Sequence, residues 1–167
     1  DTSAGGALRM LLEGHHQFDV VDEQMDWSPY RVLILPDKIR LNDALSARVR
    51  GYLNAGGKLI ASHRSGFSNE RDAFVLPELG VRQLGEASFH PDYVRPLPQI
   101  ADGILPGEHV CYERGLEVEP TTGSVWAEVW HPYFDRTYAH FCSHRHTPVE
   151  KRSEFPAVVG TDQTVYF

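Results

Sequence analysis

Three histidines within seven residues, His140, His144 and His146, form the densest group of chemically reactive side chains in the sequence. In an extended segment, His144 and His146 would share one face, because side chains alternate along a strand. Neutral imidazole binds zinc, and Cys142 could add a third ligand, so a metal-dependent activity is one alternative. No fourth ligand stands at a standard spacing. We therefore predict a polar segment that holds no metal and whose imidazoles bond to nearby groups or line a subunit contact or a sugar pocket.

Aromatic and charged residues precede these histidines. Tyr133, Phe134, Asp135 and Arg136 follow one another directly. The apolar faces of sugars stack on aromatic rings, while sugar hydroxyls need donors and acceptors beside them. Arg136 therefore joins the three histidines as a candidate for contacts with a carbohydrate or with another subunit.

A second candidate site lies where two apolar runs end. Asp37 follows the run 31–36, while His63, Arg64 and Ser65 follow the run 58–62. In an open parallel sheet, ligands bind beyond the carboxyl ends of the strands. These four residues are therefore further candidates for ligand or interface contacts.

A tight turn after a strand is also where a nucleophile elbow stands. Acyl transfer there would need a serine or cysteine at the apex and a histidine base within reach. The apex in this chain is His63, which could act as a base but has no evident nucleophile. We therefore predict no catalytic residue. The alternative is an amidase-like or esterase-like hydrolase that uses Ser62 or Ser65 with a remote histidine.

The elements that position the second site form a βαβ pattern. Apolar runs at 31–35 and 58–62 predict two buried strands. Between them, Asn42 is a good N-cap, the apolar stripe of the next twelve residues predicts a helix, and Gly56-Gly57 ends it. Strand, helix and strand predict a parallel pair with a right-handed connection. A helix from the first residues to about residue 17 and a short strand at 18–22 are expected to precede this unit.

The second half of the chain has a β pattern. We predict a short helix or turn between 74 and 84 followed by a strand at 81–84, and then an irregular, proline-rich excursion at 85–110. Further strands are expected at 116–118, 125–130, 137–142, 157–159 and 164–167. The residues around Trp126 and Trp130 do not alternate cleanly, which indicates a bulge or an interface.

Composition restricts the classes of function. The chain has 167 residues, 41% of them hydrophobic and 23% charged, which predicts one globular domain. Its net charge of −7 argues against binding to nucleic acid or to anionic lipid, and no apolar run is long enough to span a membrane. Neither a P-loop nor a GxGxxG motif is present, so we predict no cofactor. Cys111 and Cys142 are expected to be free thiols rather than a disulfide.

The ends of the sequence suggest a fragment. It starts at Asp1 and stops within the apolar run that ends at Phe167. We expect a single domain over 1–167 that was cut from a larger multidomain protein. The compartment stays unassigned, with the cytoplasm as the default expectation.

The pattern of residues 31–60 resembles the class I glutamine amidotransferase-like fold, with its strand, Pro36-Asp37, helix, Gly56-Gly57 and second strand. More narrowly, it is similar to the β-galactosidase trimerisation domain of family 42 glycoside hydrolases, and the similarity extends through residue 81 and resumes at 133–148 and 155–159. The resemblance implies an α/β, flavodoxin-like three-layer sandwich with a mostly parallel central sheet and a β-rich C-terminal part. Active amidotransferases carry a cysteine at the position that matches His63, and no His-x-Glu pair follows, so the fold carries over and the chemistry does not.

This resemblance leads to our functional hypothesis. We expect a non-catalytic accessory domain of a bacterial glycoside hydrolase, a β-galactosidase or a related enzyme, which assembles subunits into a trimer or dimer and borders a carbohydrate site. The composition agrees with an oligomer contact, because interfaces favour arginine and aromatics over lysine, and the chain has thirteen arginines but only three lysines.

Overall fold

The computed structural model describes residues Thr2–Phe167, which contain two α-helices and nine strands. In chain order these are α1 Thr2–Glu13, β1 Val32–Leu35, α2 Asp43–Asn54, β2 Lys58–Ala61, a single 3-10 turn at Pro77–Leu79, β3 Val81–Glu86, β4 Asp92–Pro96, β5 His109–Cys111, β6 Leu116–Pro120, β7 Ser124–Pro132, β8 Val149–Gly160 and β9 Thr164–Tyr166. The chain divides into two compact units. Unit 1 combines the residues up to Leu79 with Asp162–Phe167, and unit 2 is Gly80–Thr161.

The βαβ part of unit 1 matches its prediction. Strands β1 and β2 run parallel, with Val32 opposite Lys58 and Leu35 opposite Ala61. Asn42 caps α2 as expected, because its side chain accepts a hydrogen bond from the Leu45 N–H at 2.8 Å. At the other end Gly56 has a φ of 94°, a left-handed conformation that glycine adopts without strain.

Helix α2 packs through the face that the apolar stripe predicted. Val49, Tyr52 and Leu53 are buried, and Ser46 lies with them. The Tyr52 hydroxyl donates to the Tyr30 carbonyl at 3.0 Å, and the Tyr52 ring meets the Trp27 ring edge-on. These contacts hold the irregular segment before β1 against α2.

A strand from the far end of the chain completes the sheet of unit 1. Strand β9 runs parallel to β2, with Leu59 opposite Thr164 and Ala61 opposite Tyr166. Thr164 and Tyr166 are buried, and the Thr164 hydroxyl donates to the Glu78 carbonyl at 2.7 Å. The sheet of unit 1 therefore has the order β1-β2-β9.

Unit 2 is antiparallel. Strands β8, β7, β4 and β5 lie side by side in that order, and β3 pairs with β6 in a separate ladder. The β7–β8 ladder shifts register four times, between Val125 and Pro132. The bulge that the residues around Trp126 predicted is thus present. Gly160 is needed there, because a Cβ atom at this position would lie 2.1 Å from the Trp126 ring.

The predicted flavodoxin-like, glutamine amidotransferase-like sandwich with a mostly parallel sheet is wrong. In residues 2–167 strands predominate, and the parallel ladders are confined to β1, β2 and β9. A three-layer sandwich needs helices that cover both sheet faces, yet α1 buries none of its residues. Leu8, Met10 and Leu12 of α1 are instead exposed. The prediction extended the parallel pattern of one βαβ unit to the whole chain, but the strands of unit 2 pair antiparallel.

Several local expectations also differ from the structure. Helix α1 ends at Glu13 rather than near residue 17, because His15 turns the chain with a φ of 56°. Residues 18–22 and 137–142, both expected as strands, have no regular structure. The stretch 85–110, expected to be irregular, contains β4 and the first residues of β5. Cys111 and Cys142 are free thiols, as predicted.

None of the helices in residues 2–167 has both the length and the apolar character that a membrane crossing requires.

Candidate functional site

The structure brings the four candidates of the strand ends together in unit 1. Asp37 follows β1, and the turn 62–65 follows β2. The Ser62 hydroxyl donates to Asp37 Oδ1 at 2.6 Å and accepts from the Asp37 N–H at 3.0 Å. The Arg64 N–H donates to the Asp37 carbonyl at 2.9 Å. The two strand ends are therefore joined through Asp37.

His63 stands at the apex of this turn in the conformation that an elbow requires. Its φ is 49°, and that of Asp37 is 50°, both in the left-handed region that non-glycine residues seldom adopt. The His63 N–H donates to the Phe167 carbonyl at 2.9 Å, and the Tyr166 hydroxyl donates to the His63 carbonyl at 2.8 Å. The backbone of the apex is thus fixed by the last residue of β9 and by Phe167 after it, and the side chain at the apex is an imidazole.

The serines beside the apex serve the backbone. Ser65 is fully buried, and its hydroxyl accepts a hydrogen bond from the Ile39 N–H at 3.0 Å. Ser62 is engaged with both the amide and the carboxylate of Asp37. A buried hydroxyl cannot attack a substrate, so the geometry does not favour a hydrolase that uses Ser65. Ser62 is hydrogen-bonded to a carboxylate, whereas a serine nucleophile in acyl transfer is activated by an imidazole base.

Arg64 belongs to a charged cluster on the surface of unit 1. The Asp72 carboxylate accepts from Arg64 and, at 2.6 Å, from Arg40, and both guanidinium groups lie 5.7 Å from the centre of the Phe67 ring. Hydrogen bonds from Arg40 and Arg64 lower the pKa of Asp72. The sequence analysis missed Arg40 and Asp72, because they are 32 positions apart in the chain and only the fold joins them.

The histidine-rich segment lies in unit 2, within a loop of residues 133–148 that we call the aromatic loop. Its end is anchored, because the Tyr93 hydroxyl donates to the carbonyl of the buried Thr147, and the Thr147 hydroxyl donates to the Phe134 carbonyl at 2.9 Å. His146 Nδ1 lies 2.9 Å from the Tyr112 hydroxyl. Tyr93 and Tyr112 have no sequence signal that links them to this loop, since the pairing of β4, β5 and β7 brings them there.

Two of the three imidazoles of the aromatic loop have different partners, and His144 is contacted through its backbone carbonyl. The His140 ring contacts the Phe134 ring, with centroids 5.7 Å apart, whereas His146 pairs with Tyr112. Arg136 donates to the His144 carbonyl at 2.7 Å and lies over the Phe141 ring. Among residues 2–167 no group of three histidine, cysteine, aspartate or glutamate side chains is arranged to hold a metal ion. The metal-dependent alternative therefore gains no support from the geometry.

Three large aromatic side chains of this loop are exposed. The exposed fractions are 59% for Tyr133, 68% for Phe141 and 105% for Tyr138. Exposed rings beside arginine and histidine can stack on a sugar or bury themselves in another protein surface.

Asp92, the first residue of β4, is a site residue that the sequence analysis missed. Its exposed fraction is 7%, and burial, the largest cause, raises its pKa to about 6, with the Asp135 charge adding to the rise. Cys111 lies opposite Asp92 in the β4–β5 ladder. Burial of the Cys111 thiol, together with the charge of Asp92, raises the pKa of Cys111 to about 11, so the thiol remains uncharged. The proline-rich sequence around Asp92 gave no indication of a buried carboxyl group.

Comparisons with known proteins match the first half of the chain by family and by sequence, and almost the whole chain by structure. The family model of the beta-galactosidase trimerisation domain matches residues 8–81. Beta-galactosidase BbgII of Bifidobacterium bifidum is 36% identical over 69 residues, which are 41% of this chain and 10% of that protein. The match thus covers the βαβ part of unit 1 and the candidate turn.

Solved structures match almost the whole chain. Alpha-L-fucosidase isoenzyme 2 from Paenibacillus thiaminolyticus is 42% identical with a TM-score of 0.89, over 97% of this chain and 24% of that one. The cold-adapted beta-galactosidase from Rahnella sp. R3 shares the fold, with 20% identity and a TM-score of 0.68 over 95% of this chain and 23% of that one.

The chain therefore spans about a tenth of the curated relative and about a quarter of the fucosidase. The predicted resemblance to a glycosidase accessory domain is confirmed. Through residues 8–81 the chain is similar to the beta-galactosidase trimerisation domain, and through almost its whole length it is similar to part of solved glycoside hydrolases.

Proposed function

We propose that this chain is the assembly domain of a bacterial glycoside hydrolase that functions as a homotrimer. The observation that supports this most strongly is the likeness, at 42% identity over 97% of the chain, to one quarter of an α-L-fucosidase, together with the match to a trimerisation domain. The parent enzyme carries its reacting carboxylates outside this chain, in a separate catalytic domain.

The proposed substrate is a terminal α-L-fucoside. The fucosidase is 42% identical over 97% of this chain, whereas the β-galactosidase structure that covers 95% of it is 20% identical. L-Fucose and D-galactose share the arrangement of their ring hydroxyls apart from handedness and the missing 6-hydroxyl, so a β-galactoside is the second candidate.

Within this function, the two groups of candidate residues have different roles. Asp37, His63, Arg64 and Ser65 hold the ends of β1 and β2 to β9 and so keep unit 1 intact. The aromatic loop borders the sugar site of the assembled enzyme. Tyr138 and Phe141 provide the rings that stack on the sugar, and Arg136, His140 and His144 provide polar groups for its hydroxyls.

Two measurements on the parent enzyme test this proposal. Light scattering coupled to size-exclusion chromatography should give three times the subunit mass, and p-nitrophenyl α-L-fucoside should be hydrolysed faster than the β-D-galactoside. A monomer would overturn the assembly role, and a preference for the galactoside would replace the first substrate with the second.

A variant tests the role of the aromatic loop. We expect Tyr138→Ala to raise KM about fivefold without changing the free energy of unfolding, because stacking on an exposed ring contributes roughly 1 kcal/mol. Leu105→Ala, at a side chain that is also exposed in unit 2, is the matched control and should leave KM unchanged. Equal KM values for both variants would show that the aromatic loop does not border the sugar site.

A further inference from the structure

One face of the unit 1 sheet is apolar and partly exposed. Ile34, Ile60 and Val165 lie opposite one another across β1, β2 and β9, so their side chains share this face. Ile60 is 37% exposed, and Ile34 and Val165 are half-buried. Val32 and Phe167 extend the face at its two ends and are 43% and 50% exposed. We call these five residues the outer sheet face.

Helix α1 carries a second exposed apolar surface in unit 1. Leu8, Leu11 and Leu12 follow the spacing of one helix face, and we call them the α1 stripe. Leu8 is 39% and Leu12 58% exposed, and α1 buries none of its residues. Arg9 and Glu13 lie off the stripe and form an exposed ion pair at 2.7 Å. The stripe is therefore an apolar surface that this chain does not bury by itself.

A ring of three identical subunits needs a contact between two different surfaces. A contact in which one surface meets a copy of itself closes with two subunits, whereas a head-to-tail contact can continue around a ring. The α1 stripe and the outer sheet face are two such different surfaces. The match to the trimerisation domain spans residues 8–81, which include the whole stripe and both β1 and β2.

The two surfaces also match in size and chemistry. Three strands spaced about 4.8 Å apart span about 10 Å, which is close to the diameter of one helix. A helix on a sheet is a standard arrangement in which both elements bury their apolar side chains. Lys58, opposite Val32, adds one charged group at the start of β2, beside the apolar residues. One helix is therefore sufficient to cover the outer sheet face.

We propose that α1 of one subunit packs on the outer sheet face of the next subunit, and that three such contacts close the ring of the parent enzyme. Association removes the leucines of the stripe and the branched side chains of the sheet from water, which favours the contact. The occupant of the outer sheet face is thus a second copy of this chain. This inference rests on the proposed function, because it specifies the surfaces through which the proposed homotrimer assembles.

Cross-linking between two differently tagged forms of the intact parent enzyme tests this contact. One form carries Leu12→Cys and the other Ile60→Cys, in a background in which Cys111, Cys142 and any other cysteines are replaced by alanine. After co-expression, a short bis-maleimide reagent should join the two forms, while each form expressed alone should give no cross-linked pair. Val20→Cys, at an 81% exposed position of unit 1, replaces Leu12→Cys as the control and should give none.

A matched pair of variants tests the contribution of the stripe to assembly. Leu12→Glu places a charge on the stripe, and Met10→Glu places the same charge off the stripe on the same helix, at a side chain that is 70% exposed. Neither position is buried, so both variants should fold. Light scattering coupled to size-exclusion chromatography should show loss of the trimer for Leu12→Glu and an unchanged trimer for Met10→Glu.

Several outcomes would overturn the contact. A cross-link confined to single polypeptides that carry both cysteines would show that α1 covers the sheet of its own subunit. Slow alkylation of Ile60→Cys without a cross-link to Leu12→Cys would place another part of the parent enzyme on this face. A trimer that persists in Leu12→Glu without the cross-link would refute the contact but leave the proposed homotrimer intact, whereas a monomeric unchanged enzyme would refute both.

Discussion

Ser65 shows at the scale of a single residue how a polar group can support a turn without taking part in chemistry. It is fully buried after β2, and its hydroxyl accepts from the Ile39 N–H. We expect Ser65→Ala to lower the free energy of unfolding by about 1–3 kcal/mol, because it leaves a buried N–H without a partner. Urea unfolding measures this, with Ser143→Ala at an exposed position as the control. Equal stabilities of the two variants would contradict the structural role.

A second prediction at the residue scale concerns Asp92, because its ionisation changes the free energy of unfolding of the chain. Its pKa rises from 3.8 to about 6 in the folded chain, chiefly through burial, so the folded state binds the proton more tightly than the unfolded state. The free energy of unfolding should therefore fall as pH rises from about 4 to about 6, by about 3 kcal/mol in total, and should not change further through this group above pH 6.

The measurement is urea unfolding at several pH values for the unchanged chain and for Asp92→Asn. The difference in unfolding free energy between the two should change by that amount in favour of the variant as pH rises through the range. Asp102→Asn should follow the unchanged chain throughout. A constant difference across the whole range would show that Asp92 ionises in the folded state as it does in the unfolded one.

At the scale of elements, two glycines near the end of α2 differ in the space that is available for a side chain. A Cβ atom at Gly57 would lie 2.3 Å from the Tyr52 ring, whereas one at Gly51 would meet nothing within 4 Å. We expect Gly57→Ala to destabilise by about 1–3 kcal/mol through overpacking. Gly51→Ala lies in the exposed interior of the helix and should stabilise by about 0.5–1 kcal/mol. Thermal unfolding compares the two. A stabilised Gly57→Ala would show that Tyr52 moves freely.

The elements that the sequence predicted well are those whose signals are local. Helix α2 has an Asn42 cap, an apolar face and a glycine stop within fifteen residues, and β1 and β2 are short apolar runs on either side of it. Their parallel pairing follows from the length of the connection. The turn at His63 could be placed for the same reason, because it directly follows β2.

The elements that were missed depend on contacts between distant residues. The run 137–142 has the composition of a strand, but Tyr138 and Phe141 face solvent, and no neighbouring strand pairs with them. Strand β4 begins among prolines and is defined by its partners β5 and β7. Asp92 became a candidate only when the fold buried it, and Arg40 only when the fold placed Asp72 beside it. Alternation and capping carry no information about such partners.

At the scale of the whole chain, unit 1 is discontinuous in sequence. Its sheet needs β9, which is separated from β2 by all of unit 2. Tyr166 donates to the His63 carbonyl, and Gln163 donates to the Leu53 carbonyl at 2.9 Å. The segment that matches the trimerisation family, residues 8–81, therefore lacks part of its own core.

A truncation tests this dependence. We expect residues 1–81 alone to lose cooperative unfolding, because the loss of β9 removes the buried Thr164 and Tyr166 and exposes one edge of β2. Burial of a large aromatic side chain contributes about 3–5 kcal/mol by itself, a large part of the stability of a small domain. Circular dichroism against temperature measures this, with the 167-residue chain as the control.

A peptide of residues 160–167 added in excess should restore part of the transition, since β9 pairs through parallel backbone bonds that a separate strand can make. If residues 1–81 unfolded cooperatively at the same temperature as the full chain, β9 would be an addition to unit 1 and not a part of its core.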